Sequence, residues 1–106
     1  MNTVLRKNNV NITGKGEKVI LFVHGYGCNQ KMWRFITPAF ENDYKIVLMD
    51  LVGYGDSDHD AYDKVKYNSL KGYATDIVEL CKNLNFEEII LVGHSVSSMI
   101  GLHVSI

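Results

Sequence analysis

Residues 89–101 read Ile89-Ile90-Leu91-Val92-Gly93-His94-Ser95-Val96-Ser97-Ser98-Met99-Ile100-Gly101. A continuous apolar run stops at a glycine, crosses a short polar apex and resumes as an apolar stretch. Such a run is what a strand buried on both faces of a parallel sheet requires, so the segment predicts strand, tight turn, helix. A serine at the apex of so sharp a turn must adopt a strained backbone conformation that lifts its hydroxyl out at the carboxyl edge of the sheet. The residues two before and two after it must then be small, and Gly93 and Ser97 are. The following helix aims its N-terminal amides at the apex, where an oxyanion formed during acyl transfer would be stabilised. Ser95 is therefore the candidate nucleophile, and the N–H of Val96 the first candidate oxyanion donor.

A second donor should come from the loop after an earlier strand. The run Val19-Ile20-Leu21-Phe22-Val23 is followed directly by His24-Gly25-Tyr26-Gly27, whose glycines let the loop pass close to a neighbour. The N–H of Tyr26 is the second candidate donor, with the Tyr26 side chain as part of a pocket wall. A third apolar run, Ile46 to Met49, leads into Asp50-Leu51-Val52-Gly53-Tyr54-Gly55-Asp56-Ser57, a glycine-rich turn that shapes the same sheet edge.

Between these strands lie candidate crossover helices. Met32, Trp33, Ile36 and Phe40 fall at helical spacing within Gln30 to Phe40, although Pro38 should end or kink that helix. From Leu70 through Tyr73, Ala74, Ile77, Cys81 and Leu84 the spacing is clearer, with Ser69 available as N-cap and Gly72 where a capping-box acid would sit. At the N-terminus, Val4 to Leu5 and Val10 to Ile12 flank Asn8 and Asn9 and read as a hairpin, closed by Gly14-Lys15-Gly16. The order implies βαβ units and a parallel sheet. No internal repeat, low-complexity tract or interdomain linker interrupts it.

The 106 residues allow one domain at most, and 46% apolar residues with a single proline exclude a disordered or collagen-like chain. Eleven Lys and Arg against twelve Asp and Glu, mixed along the chain, give no patch for nucleic acid or an anionic membrane. No apolar run approaches the roughly 20 residues of a membrane span, and MNTVLRKNNV lacks the apolar core of a signal peptide. A cytoplasmic protein is expected, with Cys28 and Cys81 as free thiols.

Several residues have plainer readings. His24 and His94 adjoin glycine-rich turns on the wrong side of the apex for a general base and are assigned structural roles. His59 reads as an exposed loop residue. Asp50, Asp56 and Asp58 belong to a stretch rich in acids and turn formers, where a solvated loop suffices and no metal is required. Trp33 and Met32 are assigned to the core. Cys28 has no companion base in sequence. Nucleotide binding is disfavoured because the Gly25, Gly27 loop lacks a third glycine at the proper step and no phosphate-binding lysine follows.

VGHSVSSMIG, FVHGYGCNQKMWRFITPAF and NSLKGYATDI together resemble the α/β-hydrolase family. They are most similar to a small cytosolic subfamily that includes the bacterial sigma-B stress-response hydrolase RsbQ, and the plant strigolactone and karrikin receptors are similar. The resemblance implies a mostly parallel sheet flanked by helices, Ser95 as nucleophile and the Tyr26 and Val96 amides as oxyanion donors, with no cofactor and no metal. One departure is that the usual G-x-S-x-G ends here in Ser97. A second is that the family's triad runs Ser, then Asp or Glu, then His, whereas eleven residues follow Ser95 and His103 is the one titratable group among them. His103 lies two helical turns on, so its imidazole is expected to miss the Ser95 hydroxyl. Ile100 to Ile106 also lacks any helix stop. Residues 1–106 are thus expected to form a partial domain, truncated after the nucleophile elbow, with lid and triad partners absent.

The expected activity is hydrolysis of a small apolar ester or lactone, in stress signalling, with the 106-residue chain by itself inactive. The alternatives are a ligand-sensing module with a signalling protein partner, or an inactive truncated product. The chain is also expected to self-associate, because the Ile89 to Val92 strand would be left as an open edge.

Overall fold

A computed structural model describes residues 3–105; Met1, Asn2 and Ile106, which the readings of the N-terminus and of the last helix included, lie outside the described residues. The five residues of β2 (Val19–Val23) are all buried, as an unbroken apolar run demands. β3 (Lys45–Met49) and β4 (Ile89–Gly93) flank it, both parallel, with Val19 opposite Lys45 and Ile89 and Val23 opposite Met49 and Gly93. This register brings the loops after all three strands to one edge. The pleat divides their side chains. Val19, Leu21, Val23, Val47 and Met49 pack with Ala74, Ile77 and Leu80 of α2 (Leu70–Asn83) and Ile100 of α3 (Val96–Ser105). Ile20, Phe22 and Ile46 turn to the other face and meet Trp33.

That second face is covered differently from expectation. Instead of one helix over Gln30 to Phe40 there are two 3-10 turns, Gln30–Trp33 and Thr37–Ala39. Pro38 is the reason: a continuous helix would need its N–H, and it sits instead at the start of the second turn, where no N–H is required. The core assignment holds. Trp33 is buried with its ring 5.1 Å from that of Phe22, and Met32 packs on the same cluster.

The N-terminal hairpin is not formed. Thr3–Lys7 is a short helix, α1, and the strand is β1 (Asn11–Thr13), paired antiparallel with β3, so the sheet order is β1-β3-β2-β4. Long-range contacts override the local pattern. The Asn8 side chain donates to the Asp50 carbonyl while the Asn8 main-chain carbonyl accepts from the Asp50 N–H, which fixes the chain at the end of α1. Asn9, at φ 46°, completes the reversal, and the Val10 N–H closes it on the Leu5 carbonyl at 2.8 Å.

α2 follows its periodicity, but Ser69 occupies the N-cap position without a side-chain capping bond. The helix instead carries a buried charge. Asp76 Oδ1 meets the ammonium groups of Lys7 and Lys66, each at 2.8 Å, and its Oδ2 accepts from the Tyr67 hydroxyl at 2.7 Å. One carboxylate thereby joins α1, α2 and the segment before α2. A buried charge is tolerated only when paired and hydrogen-bonded in this way.

Candidate active site

At the carboxyl edge, β4 passes into α3 through His94 and Ser95. Ser95 is exposed and has φ 58°, a left-handed conformation that costs a non-glycine residue roughly 1–3 kcal/mol. The surrounding bonds hold it there. The Ser97 N–H donates to the His94 carbonyl at 3.1 Å and the Ser98 N–H to the Ser95 carbonyl at 3.0 Å. A Cβ on Gly93 would fall 2.7 Å from the Ser97 carbonyl group, so only glycine lets strand and helix approach this closely. Ser97 is fully buried, and its hydroxyl donates to the His24 carbonyl.

The loop after β2 lies against this turn. The His94 N–H donates to the Val23 carbonyl at 3.2 Å, and a Cβ on Gly25 would fall 2.2 Å from His94 Nδ1. Tyr26 is 79% exposed, its ring edge-on to Tyr54 at 6.2 Å. Among the described residues neither the Tyr26 nor the Val96 N–H donates to a protein acceptor. Both therefore remain available at this edge.

His24 is buried and its ring is fully engaged. Nε2 accepts the Leu51 N–H at 2.9 Å, so Nδ1 must carry the proton that it donates to the Gly25 carbonyl, also at 2.9 Å. Burial pushes its pKa below the ordinary histidine value, against the opposing pull of the Gly25 bond and the Asp50 charge. It acts as a structural brace, as expected. His94 and His59 are exposed, with His59 Nε2 3.0 Å from the Gly55 carbonyl. His103 lines a cavity of about 560 Å³ with Lys71, Ala74, Thr75 and Val78 on the α2 side of α3.

The solvated-loop reading of Asp50 is corrected. Asp50 is only 1% exposed. Its Oδ1 accepts from the Gln30 N–H at 2.8 Å, and its Oδ2 from the Asn9 side chain and the Asp56 N–H, both at 3.0 Å. The carboxylate draws three loops onto the end of β3. A carboxylate that ends an apolar strand and is followed by a glycine turn was the signal available. Asp58 caps the turn His59–Ala61 by accepting from the Asp60 N–H. Cys28 is half-buried, with its Sγ 3.7 Å from the Tyr26 carbonyl.

A mostly parallel sheet whose carboxyl edge bears a serine on a left-handed strand-to-helix turn, braced by the loop of the adjacent strand, defines a fold of the α/β-hydrolase class. The chain belongs to the family with the alpha/beta hydrolase fold, whose pattern matches residues 18–106. It is 39% identical to the karrikin insensitive 2 receptor CA of Petunia hybrida, over 100% of this chain and 39% of that protein. With the strigolactone esterase D14 of Arabidopsis thaliana it shares 37% identity, over 97% of this chain and 39% of the relative. A solved hydrolase from Oleispira antarctica superposes with a TM-score of 0.93 at 44% identity, covering 96% of this chain and 37% of that one. The chain thus spans about two fifths of the length of the relatives it matches. Among the described residues no helix is long and apolar enough to cross a membrane.

Proposed function

We propose that the protein is a serine hydrolase that cleaves a small apolar ester or lactone through an acyl-enzyme on Ser95. The observation that carries this reading is the exposed Ser95 at φ 58°, beside a loop whose Tyr26 amide is unpartnered. In the proposed step the Ser95 oxygen bonds to the substrate carbonyl carbon and its proton passes to a base. Negative charge collects on the carbonyl oxygen, faced by the Tyr26 and Val96 amides. The alkoxide then leaves and is protonated, and water releases the acid. Tyr26 and Tyr54 supply an aromatic wall suited to an apolar acyl group.

Among the described residues no base is positioned on Ser95. Both His24 nitrogens are committed and His103 stands against α2. A serine without such a base keeps only roughly 10³ to 10⁴-fold catalysis over water from the oxyanion hole and binding. The purified chain should therefore release no p-nitrophenol from p-nitrophenyl acetate above that of its Ser95→Ala variant. A Ser95-dependent burst would overturn this. In the whole protein, with a base in place, an alkyl fluorophosphonate should add its mass to Ser95 and to no other residue. Failure to label Ser95 there would sink the nucleophile assignment.

A second reading, a ligand sensor with slow turnover and a signalling protein partner, draws support from the relatives named as receptors. Fast multiple turnover by the whole protein would favour the esterase; single turnover coupled to partner binding would favour the sensor. Either role is proposed to serve stress signalling in the cytosol, a reducing compartment that suits the free Cys28 and Cys81.

A further inference from the structure

We infer that Ser97 is a positioning residue for the oxyanion hole, its hydroxyl holding the His24–Tyr26 segment at a fixed offset from the helix turn that carries Val96. The inference rests on the reading of Ser95 as nucleophile and of the Tyr26 and Val96 amides as oxyanion donors. Smallness alone does not account for Ser97, because glycine, which ends the family's usual pattern, would fit the same turn without a hydroxyl. That hydroxyl makes a specific bond. Fully buried, it donates to the His24 carbonyl, for which no other donor is found among the described residues.

The consequence passes along two successive peptide units. The carbonyl of the first, His24, is held by Ser97. That of the second, Gly25, is held by the His24 Nδ1–H at 2.9 Å and the Cys28 N–H at 3.1 Å. In a trans peptide the C=O and N–H point in opposite directions, so fixing the Gly25 carbonyl also fixes the direction of the Tyr26 N–H. Ser97 is bonded directly to Val96. One hydroxyl therefore couples the two donors, which come from loops far apart in sequence but packed together here through Gly25 and His94. Without it a buried carbonyl loses its partner, and the loop must shift or admit water to satisfy it.

The test uses the whole protein, with its base in place, and an alkyl fluorophosphonate. Its reaction forms the Ser95 Oγ–P bond and breaks P–F; fluoride departs and the hydroxyl proton goes to that base. The phosphoryl oxygen of the adduct then occupies the oxyanion position, so its ³¹P resonance reports hydrogen bonding there. Ser97→Ala and Ser97→Gly should slow labelling about tenfold and move the ³¹P resonance toward that of a free phosphonate diester, a change that a general loss of packing would not produce. If the alanine variant does not fold, the glycine variant carries the test, since glycine is the family's usual residue at this place. Unchanged labelling rate and unchanged ³¹P shift in the folded variant would overturn the inference while leaving Ser95 as nucleophile intact. An unlabelled wild-type whole protein would instead bring down the nucleophile reading, and this inference with it.

Discussion

At the scale of single residues, Asp50 organises the edge on which Ser95 stands, although it touches no part of the elbow. Its carboxylate accepts from Gln30, Asn9 and Asp56, and removing it leaves the buried Gln30 N–H without an acceptor, while the part-buried Asn9 and Asp56 donors can turn to water. A buried donor left alone costs about 1–3 kcal/mol. Asp50→Ala is therefore expected to lower the unfolding free energy by about 1–3 kcal/mol in urea titrations; an unchanged unfolding free energy would refute the role. Ser95 and Gly93 were legible in the sequence because the elbow is encoded within five consecutive residues. Asp50 was read as solvated because its partners lie up to 42 positions away and no local pattern announces them. The tautomer of His24 was hidden for the same reason, being set by Leu51 in the loop after β3.

Among the elements, each strand buried by sheet neighbours on both sides, or ending in the elbow, was found from its apolar run to within a residue. The errors fell where side chains compete with the backbone pattern. α1 was taken for a strand because its sequence says nothing of Lys7 reaching Asp76, and the Gln30 to Phe40 helix broke at the proline already noted as a hazard. The Asp76 cluster also sets a pH limit. Burial raises the Tyr67 pKa, helped by its bond to Asp76, and pushes Tyr73 up to about 12. For Lys66 burial acts downward, but the hydrogen bond and charge of Asp76 outweigh it and the pKa rises. All three groups hold protons in the folded chain that the unfolded chain releases above roughly pH 10. Their stabilisation is thus complete below about pH 10 and is lost as pH rises through the folded values. The urea midpoint should fall steadily over that alkaline range, and less steeply in Tyr67→Phe; a flat midpoint would contradict the cluster's role.

At the scale of the 106-residue chain, β4 is the outer described strand, pairing with β2 on one side and with no other described strand on the other. Ile90 is 48% exposed there, and Met99 and Leu102 of α3 are 58% and 66% exposed beside it. An uncharged apolar edge without lysine or proline favours strand addition, and the bare helix surface adds to it. Light scattering on a micromolar sample is expected to report dimers or larger species; a monomer with a sharp unfolding transition would argue otherwise. The register of β4 also has a consequence for biosynthesis. Val19 pairs with Ile89 and Val23 with Gly93, a separation of seventy residues. At roughly 5–20 residues per second, roughly 4 to 14 s pass between the synthesis of the two strands. During that interval β2 has one edge open, and the Tyr26 loop has neither His94 nor Ser97 to rest upon. The proposed oxyanion hole is therefore assembled only when the second strand arrives from the ribosome.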